Sequence, residues 1–525
     1  MSEKKYVQIR EGLLEGGTNN GVHRFLGIPY AAPPVGDLRW RPPAPPLAWE
    51  GSRDATRFGP CAIQTIGASF DLRVAQKSED CLYLNVWTTS LDQRDCRPVM
   101  VWIHGGGNLG GAGSEDAFDG TRLAGKDVVL VTLNYRLGAF GFLSHPTLGA
   151  NFAVLDWVAA LEWVRVNIVS FGGDPSNVTI FGESAGAVAV RMLLACPRAD
   201  GLFHKAIMQS GGNERAAFAQ ELSWQQAQKA AERFFERVGT SDPVELRRIP
   251  AELIGQASHD LCGLPPPPRR IHTPAHLVWV PFADGDVVLP GADPLHRRGI
   301  PVLMGCTENE TRYFIKPGRA YPKLMLAGMT AVLAGSRRAD VAGVLSRKRQ
   351  STYDSIDQLF TAAIFTEPAY ETARRLTNSG RRIYYYHFNR VAPGAASSQE
   401  LAKHTAEIRY VFGNLTADEY YDAQDQKLSA QLQAAWVEFA STGVPKVQGC
   451  EAWPEYRVDD PQMTYIGDTI EKRPFRPTEL IEILNSMRTQ TAHTTFFSTS
   501  RMLLALFTGG VFTHKKRVRW LRSNS

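Results

Sequence analysis

Asn177-Val178-Thr179-Ile180-Phe181-Gly182-Glu183-Ser184-Ala185-Gly186 reads as a buried strand that ends in a sharp turn. Residues 177–181 are rich in β-branched and aromatic side chains and hold no breaker. Ala187 to Cys196 then reads as a helix of Ala, Val, Met and Leu, stopped by Pro197. A Gly-x-Ser-x-Gly turn between strand and helix is a nucleophile elbow. Its glycines permit a tight turn and let the two elements approach closely. The Ser184 hydroxyl is then presented at the carboxyl edge of a sheet, beside a helix N-terminus whose partial positive charge favours a developing anion. The pentapeptide alone is a weak signal, because a random chain of this composition holds roughly 0.2 such matches.

The surroundings strengthen it. Pro98-Val-Met-Val-Trp-Ile103 has the pattern of a central strand and runs into His104-Gly105-Gly106-Gly107. Acyl transfer to a serine creates a tetrahedral oxyanion, which fixed backbone N–H groups stabilise by about 3–4 kcal/mol per key donor. The candidate donors are Gly106, Gly107 and Ala185. A phosphate cradle would need Gly-Lys-Ser/Thr after the glycines, and none follows. Serine also needs a base and an orienting acid, which in this arrangement follow in the order Ser, Asp/Glu, His. After an apolar stretch at Ile300–Met304, Glu308 and Glu310 compete for the acid. Another strand pattern, Arg381–Phe388, contains His387 and is followed by His404; His493 and His514 lie in the tail. His387 sits inside its strand, whereas His404 lies beyond it, where a base belongs.

Composition sets the outer bounds. The chain has 525 residues and a formal net charge of +5, too small a surplus to argue for nucleic acid, and it shows no zinc-spaced Cys/His set. Strand and helix patterns alternate over the first 215 residues, which predicts a mostly parallel sheet flanked by helices. No apolar run reaches bilayer length, and the first residues carry no apolar signal segment, so a cytoplasmic protein is expected. The seven cysteines are an odd number at scattered spacings, not a disulfide scaffold.

At this point the chain resembles the type B carboxylesterase/lipase family, which includes bacterial carboxylesterases and the cholinesterases. Phe171-Gly-Gly-Asp174-Pro through Ser184-Ala-Gly186 is similar to the family's active-site signature. Glu79-Asp-Cys81-Leu-Tyr-Leu-Asn-Val86 resembles its second signature, and Phe25–Ala31 with Leu38–Pro43 resembles its N-terminal region. The resemblance runs from about Val7 to about residue 485. It implies an α/β-hydrolase fold: one catalytic domain over residues 1–488, with helical and loop insertions over the active site. Residues 489–525 are then an extension, apolar and then basic.

Carried over residue by residue, the resemblance implies Ser184 as nucleophile, Glu310 as acid and His404 as base, in His404-Thr-Ala-Glu-Ile-Arg-Tyr-Val-Phe412. Glu308 stays as the alternative acid, because the family usually has Gly after the acid and this chain has Thr311. Glu183 matches an auxiliary carboxylate beside the nucleophile. Arg39 with Glu79, and Arg136 with Asp174, resemble buried ion pairs. Cys61 and Cys81 match a disulfide loop, expected here as free or partly bonded thiols. The implied activity is hydrolysis of a small to medium carboxylic ester through an acyl-enzyme, without metal or organic cofactor. Carbamate or amide hydrolysis by the same triad, and a non-catalytic binding role, remain as alternatives.

The loop from Ala62 to Asp80 holds Phe70 but no Trp, which argues against a choline ester. Asn108 follows the glycines where an aromatic residue is commoner, giving a more polar or roomier pocket. Leu264–Arg270 suggests an extended polyproline piece over the site. The tail, with Met502–Phe507 before Lys515–Arg522, is a candidate for contact with an anionic membrane surface, a loosely ordered extension being the plainer expectation.

Overall fold

The computed structural model describes residues 3–488 apart from 65–69, 75, 214–215, 218–222, 263–277, 290–298, 318–320 and 448. Its strands run, in chain order, β1 Lys4–Ile9, β2 Gly12–Asn19, β3 Val22–Pro29, β4 Ser52–Asp54, β5 Cys61–Ala62, β6 Lys77–Ser78, β7 Tyr83–Thr88 and β8 Arg97–Ile103. There follow β9 Val129–Leu133, β10 Gly173–Glu183, β11 Lys205–Gln209, β12 Val302–Thr307, β13 Ile383–Phe388, β14 Gln462–Ile466 and β15 Ile470–Pro474. The main sheet has the order β1-β2-β3-β7-β9-β8-β10-β11-β12-β13-β14-β15, with β4 added on β2. From β9 to β14 every neighbouring pair is parallel. Both margins are antiparallel.

The parallel strands are apolar nearly throughout because helices cover both faces. In β8, Val99, Val101 and Ile103 enter one core while Met100 and Trp102 enter the other, as the two-residue period of a strand requires. The first core is closed by the helices Phe152–Asn167 and Ala185–Ala195, the second by Ile408–Phe412 and Ala423–Thr442. A third apolar cluster joins the helices Lys323–Ala334, Arg338–Arg347, Thr352–Thr361 and Glu479–Ser486. The first three lie between β12 and β13, and the last follows β15. The α/β-hydrolase architecture expected from the sequence is the one observed.

The strand before Ser184 is longer than its apolar stretch: β10 begins at Gly173, and the following helix starts at Ala185, directly after Ser184. One expected ion pair is corrected. Arg136 binds Asp156, at 2.6 Å between Nη2 and Oδ1, and not Asp174. Asp156 sits on the buried face of the helix Phe152–Asn167, whereas Asp174 stands half-buried at the start of β10 and accepts bonds from the Ser176 N–H and hydroxyl. Arg39 and Glu79 do pair, Nη2 to Oε2 at 2.5 Å. Cys61 and Cys81 are both buried free thiols, and burial pushes both pKa values up. Leu264–Arg270 and the tail from 489 lie outside the described residues. Among the described residues no helix is long and apolar enough to cross a membrane.

Candidate active site

Backbone crowding defines the elbow. Ser184 has φ 56° and ψ −121°, a strained conformation for a residue with a side chain and one concentrated at functional turns. Its N–H donates to Gln209 O at 2.9 Å, and its carbonyl accepts from Val188 N at 3.1 Å. A Cβ on Gly186 would lie 2.0 Å from Ile103 O, and one on Gly182 would lie 2.5 Å from Gly186 C. Only glycine lets β8, β10 and the helix meet this closely.

The glycine loop after β8 lies against the same turn. A Cβ on Gly105 would stand 3.2 Å from Ser184 Cβ and 2.8 Å from Glu183 O. Gly106 and Gly107 have φ 98° and 62°, and Gly106 O accepts from Leu109 N and Gly110 N at 3.1 and 3.2 Å. The N–H groups of Gly106, Gly107 and Ala185 have no protein acceptor among the described residues. His104 anchors the loop: its ring stacks on Tyr135 at 4.5 Å, and Tyr135 OH donates to His104 O at 2.9 Å. Burial pushes His104 down to about 4, so it is neutral and its Nδ1–H donates to Gly105 O at 2.8 Å. Asn108 is buried and ties the loop to Trp279 through an amide N–H to Trp279 O at 3.0 Å.

Glu310 opens a 3₁₀ turn after β12. Its Oε1 accepts from Thr307 N at 2.8 Å, and its Oε2 lies 2.5 Å from His404 Nδ1. Glu308 goes elsewhere, 2.5 Å from His387 Nε2. Thr311 is not at positive φ, so this turn has no need of glycine there. The threonine hydroxyl instead meets Thr361 Oγ1 at 2.9 Å and ties the turn to the inserted helices.

His404 lies between two carboxylates, because its Nε2 is 3.0 Å from Glu183 Oε1. Its ring is caged by Tyr313, Phe314 and Phe365, with centroids at 5.7, 5.3 and 5.1 Å. Burial alone would lower the imidazole pKa, but the charges of Glu183 and Glu310 outweigh it and hold the value well above the usual histidine range. Burial raises Glu183 in turn, against the pull of His404. The imidazole keeps its proton more readily than a free histidine does.

Several residues near this group carry no signal of their own in the sequence. Glu407, three positions after His404, is pushed up to about 8 by burial and by Glu183 and Glu310. It accepts from Gln209 Nε2 at 3.3 Å and from Tyr386 OH at 3.3 Å. Glu115 is likewise raised to about 8 by burial, and its carboxylate accepts from Ala112 N and Phe70 N. It thereby ties the loop around Phe70 to the glycine segment. Phe365 reaches His404 from a π-helical turn, Ala362–Thr366, of the kind that often marks functional positions. His493 and His514 lie outside the described residues. Among the described residues no group of three or more His, Cys, Asp or Glu could hold a metal ion.

The profile of the carboxylesterase family matches residues 3–480. The chain is 36% identical over 490 residues to "Fumonisin B1 esterase" of Sphingopyxis macrogoltabida, covering 88% of this chain and 87% of that protein. It is 35% identical over 501 residues to "Para-nitrobenzyl esterase" of Bacillus subtilis (strain 168), covering 89% and 96%. A solved structure titled "PNB esterase" superposes with a TM-score of 0.78 at 35% identity, covering 91% of this chain and 99% of that one.

Proposed function

The chain belongs to the carboxylesterase family, and on that premise we propose that it cleaves carboxylic esters in two steps through an acyl-enzyme on Ser184. His404 takes the Ser184 proton as the oxygen attacks the ester carbonyl. The electron pair moves to the carbonyl oxygen, and the N–H groups of Gly106, Gly107 and Ala185 receive that oxyanion. Glu310 fixes the imidazole tautomer and balances its charge. Collapse of the intermediate breaks the bond to the alcohol oxygen, which leaves with the proton from His404. Water then repeats the sequence on the acyl-enzyme and releases the acid. Glu183 is the auxiliary carboxylate, a charge neighbour of the imidazole on its Nε2 side. The substrate is a small-molecule ester.

The observation that carries this reading is the buried 2.5 Å contact between His404 Nδ1 and Glu310 Oε2, which turns Nε2 toward the residue before Ser184. Purified protein is expected to hydrolyse a short-chain p-nitrophenyl ester and to be covalently labelled on Ser184 by an organophosphate. Ser184→Ala abolishes both. Undiminished hydrolysis by Ser184→Ala would overturn the assignment.

A further inference from the structure

The helix Thr352–Thr361 presents one stripe to the turn that carries Glu310. Tyr353, Asp357 and Thr361 recur at every fourth position, which sets them on one helix face. Asp357, in the middle of that stripe, is only 3% exposed. A carboxylate buried this far needs donors, and it finds them on both sides of Glu310. Its Oδ2 accepts from Asn309 Nδ2 at 2.9 Å and from Arg312 Nε at 2.8 Å. Its Oδ1 accepts from the Thr361 hydroxyl at 3.2 Å, and Thr361 Oγ1 accepts in turn from Thr311 N at 3.2 Å. The Thr311 hydroxyl donates to Asp357 O at 3.2 Å. Residues 309, 311 and 312 are thus held by Asp357 or by the threonine one turn beyond it. Glu310 stands among them with its own carboxyl left for Thr307 N and His404.

Asn309 and Arg312 also reach the other way. Asn309 N donates to Ala402 O at 2.9 Å, and Arg312 Nη1 donates to Gln399 O at 2.8 Å. Both acceptors lie in the segment that carries His404. That segment is strained: Gln399, Leu401 and Thr405 have φ 58°, 53° and 75°. Such conformations persist only where the surroundings over-determine them. The two residues that bracket Glu310 and grip this segment therefore share one acceptor, Asp357 Oδ2. Burial pushes the Asp357 carboxyl up in spite of its donors, so the charge is kept at a cost. A buried ion pair is weak evidence for stability, and its best-attested use is to fix one arrangement.

We propose that Asp357 is a positioning residue for the reaction: through Asn309 and Arg312 it locks the Glu310 turn to the His404 segment and so sets the contact between acid and base. The proposal rests on the reading of Glu310 and His404 given above. Asp357 touches neither substrate nor imidazole, and its influence passes through Glu310.

A double-mutant cycle on a short-chain p-nitrophenyl ester tests this. Asp357→Ala is expected to lower kcat about 10- to 100-fold, the scale of a displacement of about 1 Å in a reacting group, with KM changed less than about twofold. In the Glu310→Gln background the same substitution is expected to lower kcat by less than about threefold, because groups that act as a unit are not additive. A merely structural role would give the same factor in both backgrounds. Should Asp357→Ala not fold, Asn309→Ala decides, since it cuts one of the two links at a half-buried side chain. Its expected loss is about three- to tenfold, the scale of one hydrogen bond, and it too vanishes in the Glu310→Gln background. Equal factors in the two backgrounds, unity included, or a change confined to KM, overturn the proposal and leave the esterase mechanism standing. Failure of the mechanism looks different: Glu310→Gln by itself then leaves kcat intact, and the proposal falls with it.

Discussion

Replacing Glu183 with Gln tests the double clamp on His404. The substitution keeps the side-chain volume and an acceptor but removes a charge 3.0 Å from His404 Nε2. Coulomb's law at that distance, with an effective dielectric constant of about 20, gives roughly 5 kcal/mol, or about 4 pH units as a ceiling. The realised shift is smaller, because burial disfavours Glu183's own ionisation and Glu310 still holds the other nitrogen. An opposite charge this close shifts a pKa by about 1–3 units, and with the charge only partly present about 1–2 units is expected. The sign follows from the proposed role of His404 as base. On that reading His404 must be neutral to accept the Ser184 proton, so activity is lost as pH falls through its raised pKa. The acid limb of kcat/KM therefore lies above the usual histidine value in the unmodified protein and moves down in Glu183→Gln. The assay is kcat/KM against a p-nitrobenzyl or ethyl ester from pH 5 to 9 (a range set by histidine titration). An acid limb that stays in place, or moves up, would refute the clamp.

Three further outcomes test other parts of the structure. Gly186→Ala places a methyl carbon 2.0 Å from Ile103 O; destabilisation by about 1–3 kcal/mol or more is expected in urea unfolding, and a midpoint like that of the unmodified protein would contradict the crowding described. Arg136→Leu leaves Asp156 buried without its partner, a loss of about 3–5 kcal/mol measurable as a lowered Tm, part of which the double variant Arg136→Leu/Asp156→Leu regains. Glu310→Gln should lower kcat by about 10²–10⁴-fold, while Glu308→Gln, whose carboxyl pairs with the outlying His387, keeps it near normal; equal losses would mean that the acid has been misplaced.

Much of this was legible in the residues, and the failures have physical causes. Gly182–Gly186 announces itself because a strand, a strained turn and a helix each leave a local signature. Glu308 and Glu310 cannot be told apart by type or spacing: the chain leaves β12 and coils into a 3₁₀ turn between them, sending one carboxyl to His387 and the other to His404. Asp174 looked like Arg136's partner because it stands in a signature stretch. The true partner, Asp156, is an acid on the buried face of a mostly apolar helix, where only packing reveals what it faces. Phe365 reaches His404 through a π turn, which breaks the helical period on which any forecast of facing residues depends. The Leu264–Arg270 segment and the tail remain outside the described residues.

The order of the sheet has a kinetic consequence. The proposed oxyanion donors follow β8, the proposed nucleophile follows β10, the proposed acid follows β12 and the proposed base lies beyond β13, so these groups meet only when parallel strands from distant parts of the chain are in register. Parallel pairing across long loops is slow, since closure entropy is lost before contacts reward it. Helices can therefore form early in refolding while hydrolysis is still absent. Regain of esterase activity becomes a clock for the last step of folding, lagging behind the far-ultraviolet circular dichroism signal rather than following it.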